Sequence, residues 1–399
     1  MRLLLDREAI VAAAIRTSAA DYPNLTHFLN REIVRELFLC LLTHLETIYN
    51  SEVTLRENEP SFNEVSRCGE LALALGRQAA ASKIELAELI KAFYLFRRLF
   101  WLELEEFEFD LSSLQIKRLI HLNTRVNEYL ADINFLIMQE YLKREREIVA
   151  AHEKRINADL ELARQIQQSM FPSACQIGAC GLCAEIIPSG AVGGDFYGMI
   201  PYGNPPTRAD LFIGDVQGKG VAAALIMMLI TSTIKGVAAE NKTPKQIVSE
   251  VNLQFRRQMT YELNHFISLF YLSYNVSSKR LTYTKAGHED GLLIRHKDNE
   301  LVPLSTSGYF LGIFDDAEYE EKTITVNPGD RLYLFTDGVN LLGGADGKVF
   351  EYEDLYQIIL KHNSLPIGDT LEQITRDLMN LYGDKEDLKD DVGLIVVQY

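Results

Sequence analysis

Basic side chains are the minority charge in this sequence: 40 Lys and Arg face 56 Asp and Glu over 399 residues, a formal charge of −16 at pH 7. Nucleic acid and anionic membrane are thereby excluded as principal partners, because both would be repelled at long range. Cations and basic protein surfaces remain open to it. Cysteine is sparse, with 5 residues scattered over a long chain, so no disulfide framework is expected and a reducing cytoplasm is. No uninterrupted apolar run reaches the about 18 residues of a bilayer span. The apolar stretch MRLLLDREAIVAAAIRTSAAD is broken by Asp6 and Glu8 and has no small-residue cleavage site, so neither a span nor a cleaved leader is expected.

What is present points to an ordinary globular composition, 47% hydrophobic and 24% charged, long enough for two or three domains. Residues 1–140 read as helices. REIVRELFLCLLTHLETIYN and SKIELAELIKAFYLFRRLFWLELEEF carry apolar residues three and four apart, with turn signals between such stretches, so an all-α bundle of four or five helices is expected. The single tryptophan, Trp101, fits core packing or a ligand pocket there. Residues 141–170 contain no Gly or Pro and read as a linker helix. Leu142, Val149, Ile156, Ala163 and Met170 recur every seven residues, the seam of a homodimeric coiled coil. Glu145, His152, Asp159 and Gln167 weaken that seam, and a solvated single helix is the other reading.

After Pro172 the character changes. Short runs such as DLFIGDV, HFISLFYLSYNV, DRLYLFTDG and VGLIVVQY alternate with turn residues and are interrupted by two helical stretches, which makes residues 171–399 an α+β layered domain. Cys175, Cys180 and Cys183 lie close together, but no second ligand pair stands at finger spacing, so small apolar residues at a strand start compete with a metal or redox role.

Four acidic sites share one pattern, a carboxylate at the end of an apolar strand or just past a tight turn. They are Asp195 in VGGDFY, Asp215 in LFIGDVQGKG, Asp337 in LYLFTDGV and the doublet Asp390–Asp391 in KDDVGLIVVQY. Singly, each reads as a turn or cap residue. Converging, they would repel one another unless a hard divalent cation, Mg²⁺ or Mn²⁺, sat between them.

Their order, with ELARQIQQSMFP, VGGDFY, GDVQGKGVAAAL, TKAGH, LGIF, PGDRLYLFTDGV and DDVGLIVV, resembles the SpoIIE/RsbU-type serine phosphatases, the bacterial branch of the PP2C-like PPM phosphatases. The resemblance implies a β-sandwich flanked by helices with a two-metal centre at one end, hydrolysing phosphoserine or phosphothreonine on proteins. By position, Asp215 would bridge both metals and the carbonyl of Val216 would complete one shell. Asp337 and Asp390 would hold the other metal, with Asp391 the alternative to Asp390, and Asp195 would bind a metal or orient its water. Two ions about 3.5–4 Å apart generate hydroxide near neutral pH and neutralise the phosphate, so no Ser or Cys nucleophile is expected. The implied substrate is a phosphorylated STAS-domain protein of a partner-switching stress response. GRQAAASKIELAELIKAFYLFRRLFWLEL is similar to the helical N-terminal domain of RsbR-type sensors, which implies that residues 1–140 take an activating protein or small ligand.

Departures from the family pattern stand at Gln217, where a His is common, at Lys219 in GKG, at Gly198, and at Asn340 and Leu341 after the TDGV. Lys219 is a candidate phosphate contact or a solvated lysine. His288 in TKAGH is a site neighbour or a turn histidine. The run GGDFY lacks the second acid of a diguanylate cyclase's GGDEF, and GDVQGKG lacks the spacing of a phosphate loop. The rival of another class is a pseudophosphatase that keeps the fold as a dimeric binding module.

Overall fold

The computed structural model describes residues 113–399 apart from 173–174, 178–179, 259–264, 340–351 and 383–387, together with residues 67–88 and single helical positions between 12 and 98. Trp101, Asn340, Leu341 and most of the expected N-terminal helices lie outside the described residues. The chain divides into two compact units, Met1–Ile156 and Asn157–Tyr399.

In the first unit, α1 (Arg67–Ala81) is rich in Ala and Leu and buries Leu71, Ala72, Leu75 and Ala79 along one face. Lys83, at φ 55°, ends it: in this left-handed turn the Ile84 N–H donates back to the Ala79 carbonyl at 3.2 Å. Helix α2 (Ser113–Met170) runs for 58 residues because nothing in it breaks a helix. The expected linker is therefore the second half of a helix that begins at Ser113. Gly76 of α1 lies against α2, where a Cβ would come within 2.6 Å of the Ile137 carbonyl, and the Tyr141 hydroxyl donates to the Ile84 carbonyl at 2.8 Å. Cys40 and Cys68 are joined as a disulfide, contrary to the expected absence of such bonds. Their Cα atoms are 6.1 Å apart across 28 residues of sequence, a proximity that spacing along the chain does not reveal. The seam residues Leu142, Val149 and Ile156 are exposed.

The second unit is four layers deep. Its strands are β1 (Cys175–Ile177), β2 (Cys180–Ile187), β3 (Phe196–Tyr202), β4 (Arg208–Val216), β5 (Ile267–Asn275), β6 (Arg280–Ala286), β7 (Gly291–Ile294), β8 (Leu301–Leu304), β9 (Lys322–Thr325), β10 (Arg331–Phe335) and β11 (Val392–Gln398). They form a six-stranded sheet in the order β1-β2-β11-β10-β7-β8 and a five-stranded sheet in the order β3-β4-β5-β6-β9. Every pairing is antiparallel. Helices α3 (Gly220–Val237) and α4 (Pro244–Gln258) cover the five-stranded sheet, and α5 (Tyr352–His362) and α6 (Ile367–Tyr382) cover the other. Both faces of each sheet are thus buried, which is why β4 and β11 read as continuous apolar runs. The core between the sheets is built from residues such as Ile213, Phe270, Leu332 and Ile395.

Local signals agree with this layering. Thr243 and Gln246 form a capping box ahead of α4, whose Ile247, Val251 and Phe255 face the sheet. Helix α3 is long and apolar enough to cross a bilayer, yet half of it is buried within the domain. Gly198, where the family resemblance implies a common Asp, is the place occupied by the Phe212 ring. Cys180 enters the inter-sheet core while Cys183, three residues on and so on the opposite face of β2, packs toward α5 and α6. The two thiols therefore cannot share a metal ion.

At the far end of β4 the carboxylate of Asp210, 0% exposed, accepts bonds from Tyr271 (2.7 Å), Tyr202 (3.0 Å) and both ends of the Arg208 guanidinium. Replacing it leaves two hydroxyls without their acceptor and the Arg208 cation with only the Glu240 and Lys242 carbonyls. Asp210→Ala is expected to cost about 3–5 kcal/mol in urea unfolding, and Asp210→Asn less. A wild-type unfolding midpoint for Asp210→Ala would show the cluster to be dispensable.

Candidate metal centre

Each sheet delivers two of the acidic motifs to the same end of the sandwich. Asp195 immediately precedes β3 and Asp215 is the penultimate residue of β4, and the pairing of Phe196 with Gly214 sets the two acids side by side. From the other sheet, Asp337 follows β10 after Thr336, and Asp390–Asp391 lead into β11. A cavity of about 280 Å³ opens between them, bordered by Asp215, Asp337, Asp390, Gln217, Gly218, Phe266, Ser268, Gly287, His288, Glu289 and Phe310.

Asp195 stands behind that cavity, 1% exposed. Its Oδ2 accepts the Thr336 hydroxyl at 2.7 Å, and Thr336 in turn accepts the Gly393 N–H at 2.8 Å. Asp391 has a different occupation from Asp390. Its Oδ1 accepts the Ser189 N–H (2.7 Å) and hydroxyl (2.9 Å), and its Oδ2 accepts the Gly194 N–H (2.7 Å) and Asp195 N–H (3.4 Å). These donors hold the VGGDF loop, while Asp390 faces the cavity. The two glycines of that loop are dictated by contact: a Cβ at Gly193 would overlap the Asp391 carboxylate, and one at Gly194 would stand 2.8 Å from the Val216 carbonyl and 3.3 Å from Asp215 Oδ1.

The end of α2 reaches this loop as well. Gln167, 6% exposed, donates from Nε2 to the Gly193 carbonyl at 2.7 Å and accepts the Gly193 N–H at 3.2 Å. Phe171 stacks on Tyr197 with ring centroids 5.1 Å apart, and the Tyr197 hydroxyl donates to the Pro172 carbonyl. Sequence reasoning took Gln167 only as a weak seam residue. A polar side chain at an apolar heptad place was the available signal. Lys219 does not border the cavity; its ammonium donates to the Lys389 carbonyl, next to Asp390.

The electrostatics are those of crowded like charges. Burial, then Asp215 and Asp391, raises the Asp195 carboxyl well above the usual carboxylate range. Burial, then Asp337, Asp390 and Asp391, pushes Asp215 up to about 7 against a hydrogen bond from Asp195. Asp337 is raised by desolvation within the cleft and by Asp390. Among the described residues none of these five acids has a Lys or Arg partner within ion-pair distance. No three His, Cys, Asp or Glu side chains among those residues close a coordination shell by themselves. Asp215, Asp337 and Asp390 instead border a space with room for several waters at about 30 Å³ each. Oxygen-only donors and surplus negative charge, with the Val216 carbonyl packed beside Gly194, fit hard divalent cations.

Comparison with known proteins agrees with both units. Residues 205–399 match the family described as Stage II sporulation protein E (SpoIIE), and residues 8–156 match the RsbT co-antagonist protein rsbRD N-terminal domain. The chain is 28% identical over 255 residues to phosphoserine phosphatase RsbU of Bacillus subtilis (strain 168), covering 64% of this chain and 74% of that protein. It is 26% identical over 224 residues to phosphoserine phosphatase RsbP of the same organism, covering 56% of this chain and 53% of that one. Among solved structures, the SiaA-PP2C domain of Pseudomonas aeruginosa has the same fold, with a TM-score of 0.55 at 22% identity over 63% of this chain and 98% of that chain.

The raised acids set a sign for stability. A carboxyl whose folded pKa lies above its unfolded value stabilises the fold below the unfolded pKa, and that contribution is lost as pH rises through the folded pKa, for Asp215 between about 4 and 7. In chelator-treated protein, Asp215→Asn is expected to melt several degrees above wild type at pH 8, and the gap to close by about pH 4–5. A variant melting below wild type at pH 8 would contradict the repulsion.

Proposed function

We propose that this chain, whose C-terminal domain belongs to the SpoIIE family of PP2C-like serine phosphatases, is a metal-dependent phosphatase that removes phosphate from serine on a STAS-domain protein of a partner-switching pathway in the cytoplasm. The observation that carries this reading is the convergence of strand-end aspartates from both sheets on one cavity, with no Lys or Arg among the described residues in ion-pair contact with them.

Two divalent cations, Mn²⁺ or Mg²⁺, would supply a hydroxide nucleophile near neutral pH and neutralise the phosphoryl oxygens. Asp215 would hold them from the five-stranded sheet, with the Val216 carbonyl beside Gly194 as a further oxygen donor. Asp337 and Asp390 complete the set from the other sheet. Asp390 is the ligand of the doublet because Asp391 already accepts four protein donors and serves as the brace of the VGGDF loop. Asp195, buried behind Asp215 and held by Thr336, orients that ligand rather than meeting substrate. Lys219 steadies the Asp390 loop through the Lys389 carbonyl, which favours a structural role over phosphate binding.

The N-terminal region is assigned to regulation, through an activating protein or small ligand. Support comes from α2, which runs from the first unit and ends with Gln167 on the metal-site loop. The exposed residues Leu142, Val149 and Ile156 support a homodimer paired along this helix.

Phosphate release from a phosphorylated STAS protein is expected to require Mn²⁺ or Mg²⁺ and to fall on the order of 10²–10³-fold in Asp215→Ala; equal rates for wild type and variant end the two-metal reading. Gln167→Ala in the full chain is expected to lower kcat about 10–100-fold by loosening the loop, with KM little changed. A wild-type kcat would cut the link between the linker helix and the site.

A further inference from the structure

One wall of the cavity is not made of metal-binding acids. Ser268 lies directly across the β4–β5 ladder from Asp215. Opposed residues of an antiparallel pair leave the same face of a sheet with Cβ atoms about 5 Å apart, and both side chains border the cavity. Behind Ser268 stands His288, 5% exposed, with Nδ1 2.7 Å from the serine Oγ.

The ring is neutral, since burial, with Lys285 nearby, pushes its pKa down to about 3. It therefore carries one proton. The backbone at Phe335 favours protonation of the ring, and Nε2 is buried without a closed hydrogen bond. With Nδ1 taken up by the serine, the proton belongs on Nε2. Nδ1 is then an acceptor, and the Ser268 hydroxyl must donate to it. A serine bonded to a histidine often marks a nucleophile. Here the histidine is too weak a base to take the proton near neutral pH, so the pair fixes where the serine's lone pairs point and does not activate it.

We propose that Ser268 is a further catalytic residue of the phosphatase reaction, its Oγ accepting a hydrogen bond from the attacking water beside Asp215, and that His288 is the positioning residue that turns a serine lone pair toward the cavity. The proposal rests on the two-metal reading above and adds the group that aims the water.

The test uses the full chain with Mn²⁺ and two substrates, a phosphoserine peptide and p-nitrophenyl phosphate, whose leaving group needs no proton. Ser268→Ala and His288→Phe are each expected to lower kcat about 10–100-fold on both substrates alike, with KM and calorimetric Mn²⁺ affinity within about twofold of wild type. His288→Asn, whose amide oxygen can accept the serine hydroxyl, is expected to keep most of the rate. The double variant Ser268→Ala/His288→Phe is expected to be no slower than Ser268→Ala, because both act through one hydrogen bond. A wild-type rate for Ser268→Ala beside an inactive Asp215→Ala overturns the proposal. So does a loss confined to the phosphoserine peptide, which would assign Ser268 to the leaving group, or a weakened Mn²⁺ affinity, which would make it a support of the metal site. If Asp215→Ala is as fast as wild type, the two-metal reading fails and this proposal falls with it.

Discussion

Like charges held together at one end of a sandwich are the constraint on which the rest of the domain depends. Asp195, Asp215, Asp337 and Asp390 come from four strand ends in two sheets, and Coulomb repulsion at partly desolvated sites would spread them apart. The surrounding structure resists that spreading with neutral donors. Backbone N–H groups of Ser189, Gly194 and Asp195 converge on Asp391, and the Gly393 N–H reaches Asp195 through the Thr336 hydroxyl. Both chains of hydrogen bonds cross from one sheet to the other. Neutral donors lower the cost of a buried carboxylate without cancelling its charge, so the negative potential of the cavity survives for a cation.

That arrangement explains why some of the site was legible in the sequence and some was not. A carboxylate at the end of an apolar strand is visible as text, and Asp215, Asp337 and Asp390 all border one cavity. The α+β layering was legible for the same reason, since strands buried on both faces read as continuous apolar runs. The doublet could not be divided by eye. Whether Asp390 or Asp391 faces the cavity depends on where the donors of residues 189–195 lie, some 200 positions away in the chain.

Other features were hidden because their partners are distant. Gln167 looked like a defect in a heptad seam until Gly193 came to meet it. Ser268 sits in an unremarkable strand, HFISLFYLSYNV, and acquires meaning only by its register against Asp215 and its contact with His288. The Cys40–Cys68 pairing and the start of α2 at Ser113 were missed for a related reason. Helix packing decides the first. The second follows from the absence of any breaker, a negative signal that the nearby FDLSS turn does not override until Ser113 itself.

The size of the linker's hold on the site bears on how it could act. The two hydrogen bonds between Gln167 and Gly193 contribute roughly 0.5–1.5 kcal/mol each, and the Phe171–Tyr197 stack a similar amount. Their sum, roughly 2–4 kcal/mol, is close to the 1–3 kcal/mol by which one binding event typically biases another site. A much stronger clamp would leave Gly193 and Asp195 indifferent to anything the N-terminal region bound. A weaker one would leave the loop that carries Asp195 unheld by α2. If α2 pairs with a second copy, as proposed, the polar residues Glu145, His152 and Asp159 would act in the same direction by keeping that pairing marginal. A pairing of that kind would change for a few kcal/mol, and the last turns of α2 would transmit the change to the residues that hold Asp195 beside Asp215.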